Sequence, residues 1–171
     1  MLSVIKRISA TTLFFCFLTL AGCDVKNEPI PLTDSPLIGV WEGQKETKNK
    51  GLIQIQKMYL ELKEPGYVAL HQVNCWAEKN SEPLIWKVKD FQIDFMPIIK
   101  LTQKKIKAQW MPFTPKIELR LDRWPETENG VATMVVDGVT LQRVATPSDR
   151  SRWLCEDMLR KSDNDTDTGK Q

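Results

Sequence analysis

The chain has 171 residues, with 24 Lys and Arg against 22 Asp and Glu side chains, four cysteines and one histidine. This length suffices for one domain with a sizeable core but hardly for two. The near balance of charges gives no net basic field that would attract nucleic acid. One histidine without a close cysteine pair also argues against a metal site, so no metal or other cofactor is expected.

The first 22 residues have the layout of a secretory signal peptide. Lys6 and Arg7 form a short basic start, and an uncharged run of 13 residues follows from Ile8 to Leu20. As a helix this run would be about 20 Å long, too short for a hydrocarbon core about 30 Å thick. Removal of residues 1–22 would leave 22 basic and 22 acidic side chains, so the mature chain is expected to carry no net charge.

The signal ends in LAGC, from Leu20 to Cys23, which resembles the lipobox of bacterial lipoproteins. The resemblance implies cleavage between Gly22 and Cys23, a diacylglyceryl thioether on Cys23 and acylation of the freed amine. Such a chain would be anchored on the periplasmic side of the cell envelope. Asp24 stands where enterobacterial lipoproteins tend to carry an inner-membrane signal, which favours the inner over the outer membrane. An ordinary signal peptide with a chance cysteine remains the alternative.

The mature chain begins with residues 23–36, in which three prolines and the lack of apolar periodicity predict a flexible, extended tether. Segments of period-2 or β-rich character follow. They are Leu37–Gly43, Leu52–Lys63, Tyr67–Trp76, Leu84–Phe95, Ile98–Thr102, Ile106–Met111, Lys116–Arg123, Val131–Val136 and Val139–Val144. This spacing predicts a mainly β domain over residues 37–161, a single antiparallel up-and-down β-barrel with a short C-terminal helix.

Two local patterns refine the strand prediction. In LIQIQKMYLEL the two isoleucines share one parity, whereas the methionine and the last two leucines share the other. This change of parity predicts a bulge near Gln56 and Lys57. Asp137 and Gly138 separate two β-rich runs, which predicts a two-residue hairpin because both residues tolerate positive φ.

The end of the chain changes character after Thr146. Its apolar residues take a helical period, and Thr146 and Pro147 suit the first turn of a helix. The helix is expected to end near Lys161. Residues 162–171 have no apolar side chain to bury and are predicted to be disordered.

Two cysteines remain in the exported domain once Cys16 leaves with the signal and Cys23 carries lipid. A disulfide between Cys75 and Cys155 is the economical interpretation in an oxidising compartment, and two buried free thiols are the alternative. A bridge would pin the C-terminal helix against the strand that holds His71 and Cys75.

The sequence GVWEG on the first strand and LQRV on the last resemble the lipocalin-like, or calycin, β-barrel superfamily. There a Gly-x-Trp on the opening strand packs its indole near an arginine of the closing strand. The resemblance implies that Gly39, Trp41 and Arg143 close one end of the barrel, and a guanidinium does stack well on an aromatic face. The Thr-Asp-Tyr element of lipocalins is missing, so a shorter lipocalin-like barrel is the closer fit.

Catalysis finds little support in the sequence. On a strand, His71 and Cys75 would share one face but lie about 13 Å apart, too far for a nucleophile and its base. The chain has no Gly-rich phosphate loop, no Gly-x-Ser-x-Gly elbow and no His-Glu-x-x-His helix. No catalytic residue is therefore predicted.

Two functions remain open. Six tryptophans could line a cavity for a small hydrophobic or amphiphilic ligand, or they could be core residues. Trp110 and Trp124 stand beside loop prolines and are expected at the rim. Because small barrels are often packed solid, we expect a non-catalytic interaction module for another envelope protein. A carrier of a small hydrophobic ligand is the alternative.

Overall fold

The computed structural model describes residues 29–78 and 84–149, together with Trp153 and Cys155. Eight antiparallel strands close into a barrel in chain order, and the last strand pairs with the first. The strands are β1 Gly39–Asn49, β2 Leu52–Lys63, β3 Tyr67–Glu78, β4 Lys87–Thr102, β5 Lys105–Gln109, β6 Lys116–Glu128, β7 Val131–Val136 and β8 Val139–Val144. The predicted up-and-down β-barrel is confirmed. The signal peptide, residues 23–28 and most of the predicted C-terminal helix lie outside the described residues.

Apolar side chains from all eight strands fill the interior of the barrel. Alternation places every second side chain on the same face, and β6 shows this with Leu119 and Leu121 buried while Glu118 and Arg120 are exposed. Each large side chain that is fully buried contributes about 1.5–3 kcal/mol. The strand residues of this core are Trp41, Met58, Leu60, Leu62, Val68, Leu70, Met96, Ile98, Ile106, Ala108, Leu119, Leu121, Met134, Val136, Val139 and Leu141.

β2 has no bulge at Gln56 and Lys57, contrary to the prediction. Its register with β1 and with β3 is continuous along the whole strand. The change of parity has another cause, because both faces of β2 are covered. Met58 and the leucines after it face the barrel interior, whereas Ile53 and Ile55 belong to a second apolar cluster on the outside.

β4 joins two segments that the sequence presents as separate strands. It runs through Pro97, which is buried and pairs with Tyr67 of β3. Proline cannot donate to a ladder, and it is tolerated in a strand at bulges and irregular positions. Register shifts flank this point, and from Ile98 onward β4 pairs with β5. β4 therefore bends here and changes from one neighbour to the next.

β1 extends to Asn49, six residues beyond the predicted end at Gly43. The added residues, QKETKN, are polar and show no apolar alternation, and they form a strand through pairing with β2. Gly43 itself marks a close approach of β8. A Cβ at this position would collide with the carbonyl oxygen of Thr140, so a larger residue would force the two strands apart.

The predicted hairpin between β7 and β8 is present. Asp137 and Gly138 have φ values of 49° and 74°, as a turn between paired Val136 and Val139 requires. The Asp137 carboxylate accepts a hydrogen bond from the Arg120 backbone N–H at 3.0 Å. Burial raises the pKa of Asp137, and this hydrogen bond opposes the rise.

The residues before β1 pack against one end of the barrel. Ile30 donates its backbone N–H to the Ile98 carbonyl at 2.8 Å, and Leu32 donates to the Pro65 carbonyl at 2.7 Å. Leu32 and Leu37 are 1% and 0% exposed and belong to the core. The part of the predicted tether from Ile30 onward is therefore bound to the barrel.

Candidate functional site

At one end of the barrel, a tryptophan and an arginine face each other across β1 and β8. The guanidinium carbon of Arg143 lies 4.7 Å from the centroid of the Trp41 ring, and the two residues pair in register. Trp41 is fully buried and donates its indole N–H to the Leu37 carbonyl at 2.8 Å. Arg143 also donates to the Pro36 carbonyl. These contacts fix the segment before β1 over the end of the barrel.

Gly39 gives Arg143 the space that this arrangement needs. Its φ of +132° is one that side-chain-bearing residues rarely adopt, and a Cβ there would lie 3.4 Å from Arg143 Nε. The three residues that the resemblance assigns to barrel closure thus lie together. They take part in packing between the first and last strands.

The second apolar cluster, here called the outer cluster, covers the outer face of β2 and β3. Cys75 and Cys155 are joined by a disulfide with a Cα–Cα distance of 5.8 Å, which agrees with the predicted pair. Trp153 stacks on His71 with ring centroids 4.9 Å apart, and the Lys57 ammonium lies 4.4 Å from the Trp153 ring. The buried members of the cluster are Ile53, Ile55, Tyr59, Val73, Cys75, Trp153 and Cys155.

His71 is the buried polar residue of this cluster, with 6% exposure. Its Nε2 lies 2.9 Å from the exposed Asp90 carboxylate, while its Nδ1 has no hydrogen-bond partner among the described residues. Cys75, on the same face, is oxidised and cannot act as a nucleophile. The cluster therefore holds Trp153 and Cys155 against the sheet. His71 and Cys75 do not form a reactive pair in it.

β1 to β4 project beyond the rest of the barrel. β8 pairs with β1 only from Val40 to Glu42, and β5 pairs with β4 only from Ile98 onward. Among the described residues, the remaining parts of β1 and β4 thus have a strand neighbour on one side. We call the projecting part the extension, and it comprises residues 45–49, 52–56, 74–78 and 87–89.

The extension has a polar inner face that continues the face of the barrel core. Successive rungs can be followed across the strands because the register is regular. One rung aligns Lys45, Gln56, Asn74 and Lys89, and the next aligns Thr47, Gln54, Trp76 and Lys87. These two rungs hold three lysines, three amides and one indole, and no carboxylate.

This inner face was not predicted from the sequence. The parity of Met58 and Leu60 continues backward through Gln56 and Gln54, and that continuation was the available signal. The lysines are exposed and Trp76 is half-buried, so the surface is open to a binding partner. Phe91, 41% exposed, lies one rung nearer to the core.

The tryptophans expected at the rim lie in different surroundings. Trp110 is 42% exposed in the loop between β5 and β6. Trp124 is half-buried and packs against the barrel core, contrary to the expectation of a rim position. Trp86 packs against the outer cluster. The tryptophans do not line one common cavity.

A group of charged side chains joins β5 to β6. Glu118 contacts the Lys105 ammonium at 2.6 Å and the Lys107 ammonium at 2.7 Å. Hydrogen bonds from these two lysines lower the pKa of Glu118 to about 2. The carboxylate therefore stays ionised throughout the neutral and mildly acidic range.

Several predicted features lie beyond the part of the chain that the structure covers, among them Gly22 and Cys23 of the lipobox. Within the described ranges, no helix combines the length and apolar character that crossing a bilayer would take. No group of three or more His, Cys, Asp or Glu side chains in those ranges could hold a metal ion. Comparison of the chain with protein families, with characterised proteins and with solved structures finds no match.

Proposed function

We propose that this protein is a lipid-anchored, non-catalytic interaction module of the cell envelope, which binds a partner protein through the inner face of the extension. One observation carries the proposal. The barrel interior is occupied by apolar side chains of its own eight strands, whereas the inner face of the extension is open, polar and cationic.

The filled interior favours this function over that of a carrier. A barrel that holds a hydrophobic ligand needs interior space, whereas Met58, Leu60 and Leu141 are fully buried inside this one. The contact between Trp41 and Arg143 also closes one end. A small hydrophobic ligand would have to displace these core side chains.

The chemistry of the inner face suits an acidic, extended protein segment. Lys45, Lys87 and Lys89 supply positive charge without a carboxylate in the same two rungs. The amides of Gln54 and Asn74 can both donate and accept hydrogen bonds. Trp76 between them offers the kind of aromatic anchor that often dominates binding energy at protein interfaces. Charge complementarity would mainly raise the association rate and select the partner.

Anchoring rests on the LAGC motif and on the position of the first residues that the structure describes. Ile30, where the chain docks on the barrel, is the seventh residue after Cys23. Fully extended, this stretch would span about 25 Å. The proposed anchor thus keeps the domain near the bilayer, with the inner membrane favoured by Asp24.

Site-specific photocrosslinking in the native host tests the binding surface. A photoreactive residue at Gln54 should form an adduct with one discrete protein, and the adduct should weaken when Lys87 and Lys89 become glutamate. The same residue at Thr140, exposed on β8, is the matched control. Equal adducts at both positions, or none at Gln54, would contradict the proposed surface.

The anchor is tested separately. Cys23→Ser should abolish labelling by radioactive palmitate because the thioether forms on that sulfur. Labelling that persists in this variant would show that the lipobox interpretation is wrong, whatever the crosslinking result.

A further inference from the structure

The loop between β5 and β6 presents the most exposed apolar surface among the described residues. Phe113 is 100% exposed, and Trp110 and Met111 are each 42% exposed. With Pro112 they form an uninterrupted apolar tip, WMPF. Single exposed apolar residues are common on proteins, but a contiguous tip of large ones usually marks an interaction site.

This tip is held in a fixed shape by hydrogen bonds within the loop. Thr114 donates its backbone N–H to the Met111 carbonyl at 3.0 Å, and its hydroxyl oxygen accepts from the Met111 N–H at 3.1 Å. Gln109 donates its side-chain amide to the carbonyls of Pro112 and Thr114, at 3.0 and 2.6 Å. Pro112 and Pro115 have no N–H to satisfy.

The hydrogen bonds that the loop makes to its own backbone groups matter because they determine whether the tip can leave water for an apolar environment. In an apolar medium each unsatisfied backbone group costs several kcal/mol, which ordinarily keeps irregular loops out of lipid. Here the carbonyls of Met111, Pro112 and Thr114 already have donors. The loop can therefore enter the boundary of a bilayer without losing those hydrogen bonds.

The charges around the tip match an anionic surface. The sequence from Thr102 to Ile117 holds four lysines and no acidic residue. Lys116 is exposed at the end of the loop, and Lys105 and Lys107 on β5 share the single carboxylate of Glu118, so this side of the barrel keeps a net positive charge. Lys104 lies in the turn at the other end of β5. Lysines beside an aromatic apolar tip are the arrangement that binds at the interface of membranes with anionic headgroups.

The loop opens at the end of the barrel opposite to the segment before β1, but the stagger of the strands brings Trp110 close to Ile30 along the barrel wall. Ile30 bonds to Ile98 on one side of β4, and Ile98 pairs with Ala108 on the other side. Trp110 follows two residues later. With strands about 4.8 Å apart and about 3.3 Å per residue, Ile30 and Trp110 are separated by on the order of 12 Å. A bilayer that holds Cys23 within about 25 Å of Ile30 is thus within reach of the loop.

From these observations we infer that the loop of residues 110–113 is a membrane-contact element, which inserts Phe113 and Trp110 into the interface of the bilayer that holds the anchor. This inference rests on the proposed lipid anchor for its geometry. The inserted loop would give the domain a second attachment point and a fixed orientation relative to the membrane.

Fluorescence quenching in proteoliposomes tests this contact. The acylated protein purified from its host, with Phe113→Cys labelled by an environment-sensitive dye, is reconstituted in phosphatidylethanolamine and phosphatidylglycerol vesicles that contain brominated acyl chains. Asn49→Cys, at the far end of β1, is the matched control, and Met111→Cys guards against a local effect of losing Phe113. Dyes at positions 113 and 111 should be quenched several-fold more than the dye at 49.

The outcomes separate the loop from the anchor. Quenching equal to that at position 49, in protein that carries palmitate, overturns the inference and leaves the anchor intact. Quenching at 113 in unacylated protein added to the same vesicles supports the loop contact and shows that this contact does not depend on acylation. Protection of the dye from aqueous iodide in native envelopes, without quenching in lipid vesicles, shows a protein partner at the loop and also overturns the inference.

Discussion

Removal of the disulfide should lower stability strongly, because the bridge joins residues 80 positions apart. A crosslink of this span lowers the entropy of the unfolded chain by the equivalent of about 4.5 kcal/mol. Domains of this size have a total stability of about 5–15 kcal/mol, so a large share of it would be lost. The variant Cys75→Ala/Cys155→Ala should therefore unfold at a much lower urea concentration than the oxidised protein.

In the variant without the disulfide, the structure should be lost first at the outer cluster. Trp153 is held by its stacking on His71, by a hydrogen bond to Ser148 at 3.1 Å and by the neighbouring bridge. Without the covalent link, the segment around Trp153 can detach and expose Ile53 and Ile55. The barrel retains its own core and its closing pair of strands. Partial detachment should make trypsin cut the chain after β8 while the β signal in circular dichroism persists.

Urea denaturation followed by both circular dichroism and tryptophan fluorescence measures this effect. The wild-type protein treated with reductant is the matched control, since it has the same sequence without the bond. The reduced wild type and the double alanine variant should lose similar stability. A double variant within about 1 kcal/mol of the oxidised wild type would refute the reasoning, because the constraint on the unfolded chain would then give no net stabilisation.

Three further predictions concern single positions. Gly43→Ala should cost about 1–3 kcal/mol in thermal unfolding, because the added methyl group forces β1 and β8 apart; an unchanged melting temperature would contradict this close approach. Asp137→Ala should cost about 1–2 kcal/mol while Asp137→Asn is nearly neutral, because only Asn keeps the acceptor and tolerates positive φ; equal melting curves would exclude this role. The pKa of Glu118 is lowered from 4.5 to about 2, so its contribution to stability is complete above pH 4.5 and lost as the pH falls toward 2. A carboxyl titration by NMR with a midpoint near 4.5 would show that the two lysine contacts do not form in solution.

The barrel could be predicted from the sequence because most strands bury one face and expose the other. β6 is the clearest example, and its alternation appears directly in the burial of Leu119 and Leu121. β2 shows where this reasoning fails. A covered outer face produces the same parity change as a bulge, and the sequence of β2 alone does not distinguish them.

The outer cover and the extension depend on parts of the chain that are distant in sequence. Trp153 and Cys155 cover β2 and β3 only after the chain has passed through all eight strands. The polar end of β1 becomes a strand through its pairing with β2, which no local propensity indicates. The disulfide was accessible to sequence reasoning because the predicted export and lipidation would leave only two candidate thiols. No comparable chemical argument limited which residues could form the inner face of the extension.

The closure of the barrel between its first and last strands has a consequence for folding. Each hairpin of neighbouring strands can form as soon as its residues are available, but Val40 meets Val144 only when nearly the whole domain is present. Contacts between such distant residues slow folding and leave edges unpaired in the meantime. The guanidinium of Arg143 comes over the Trp41 ring only with this last pairing. The indole at position 41 would therefore report the last step of folding.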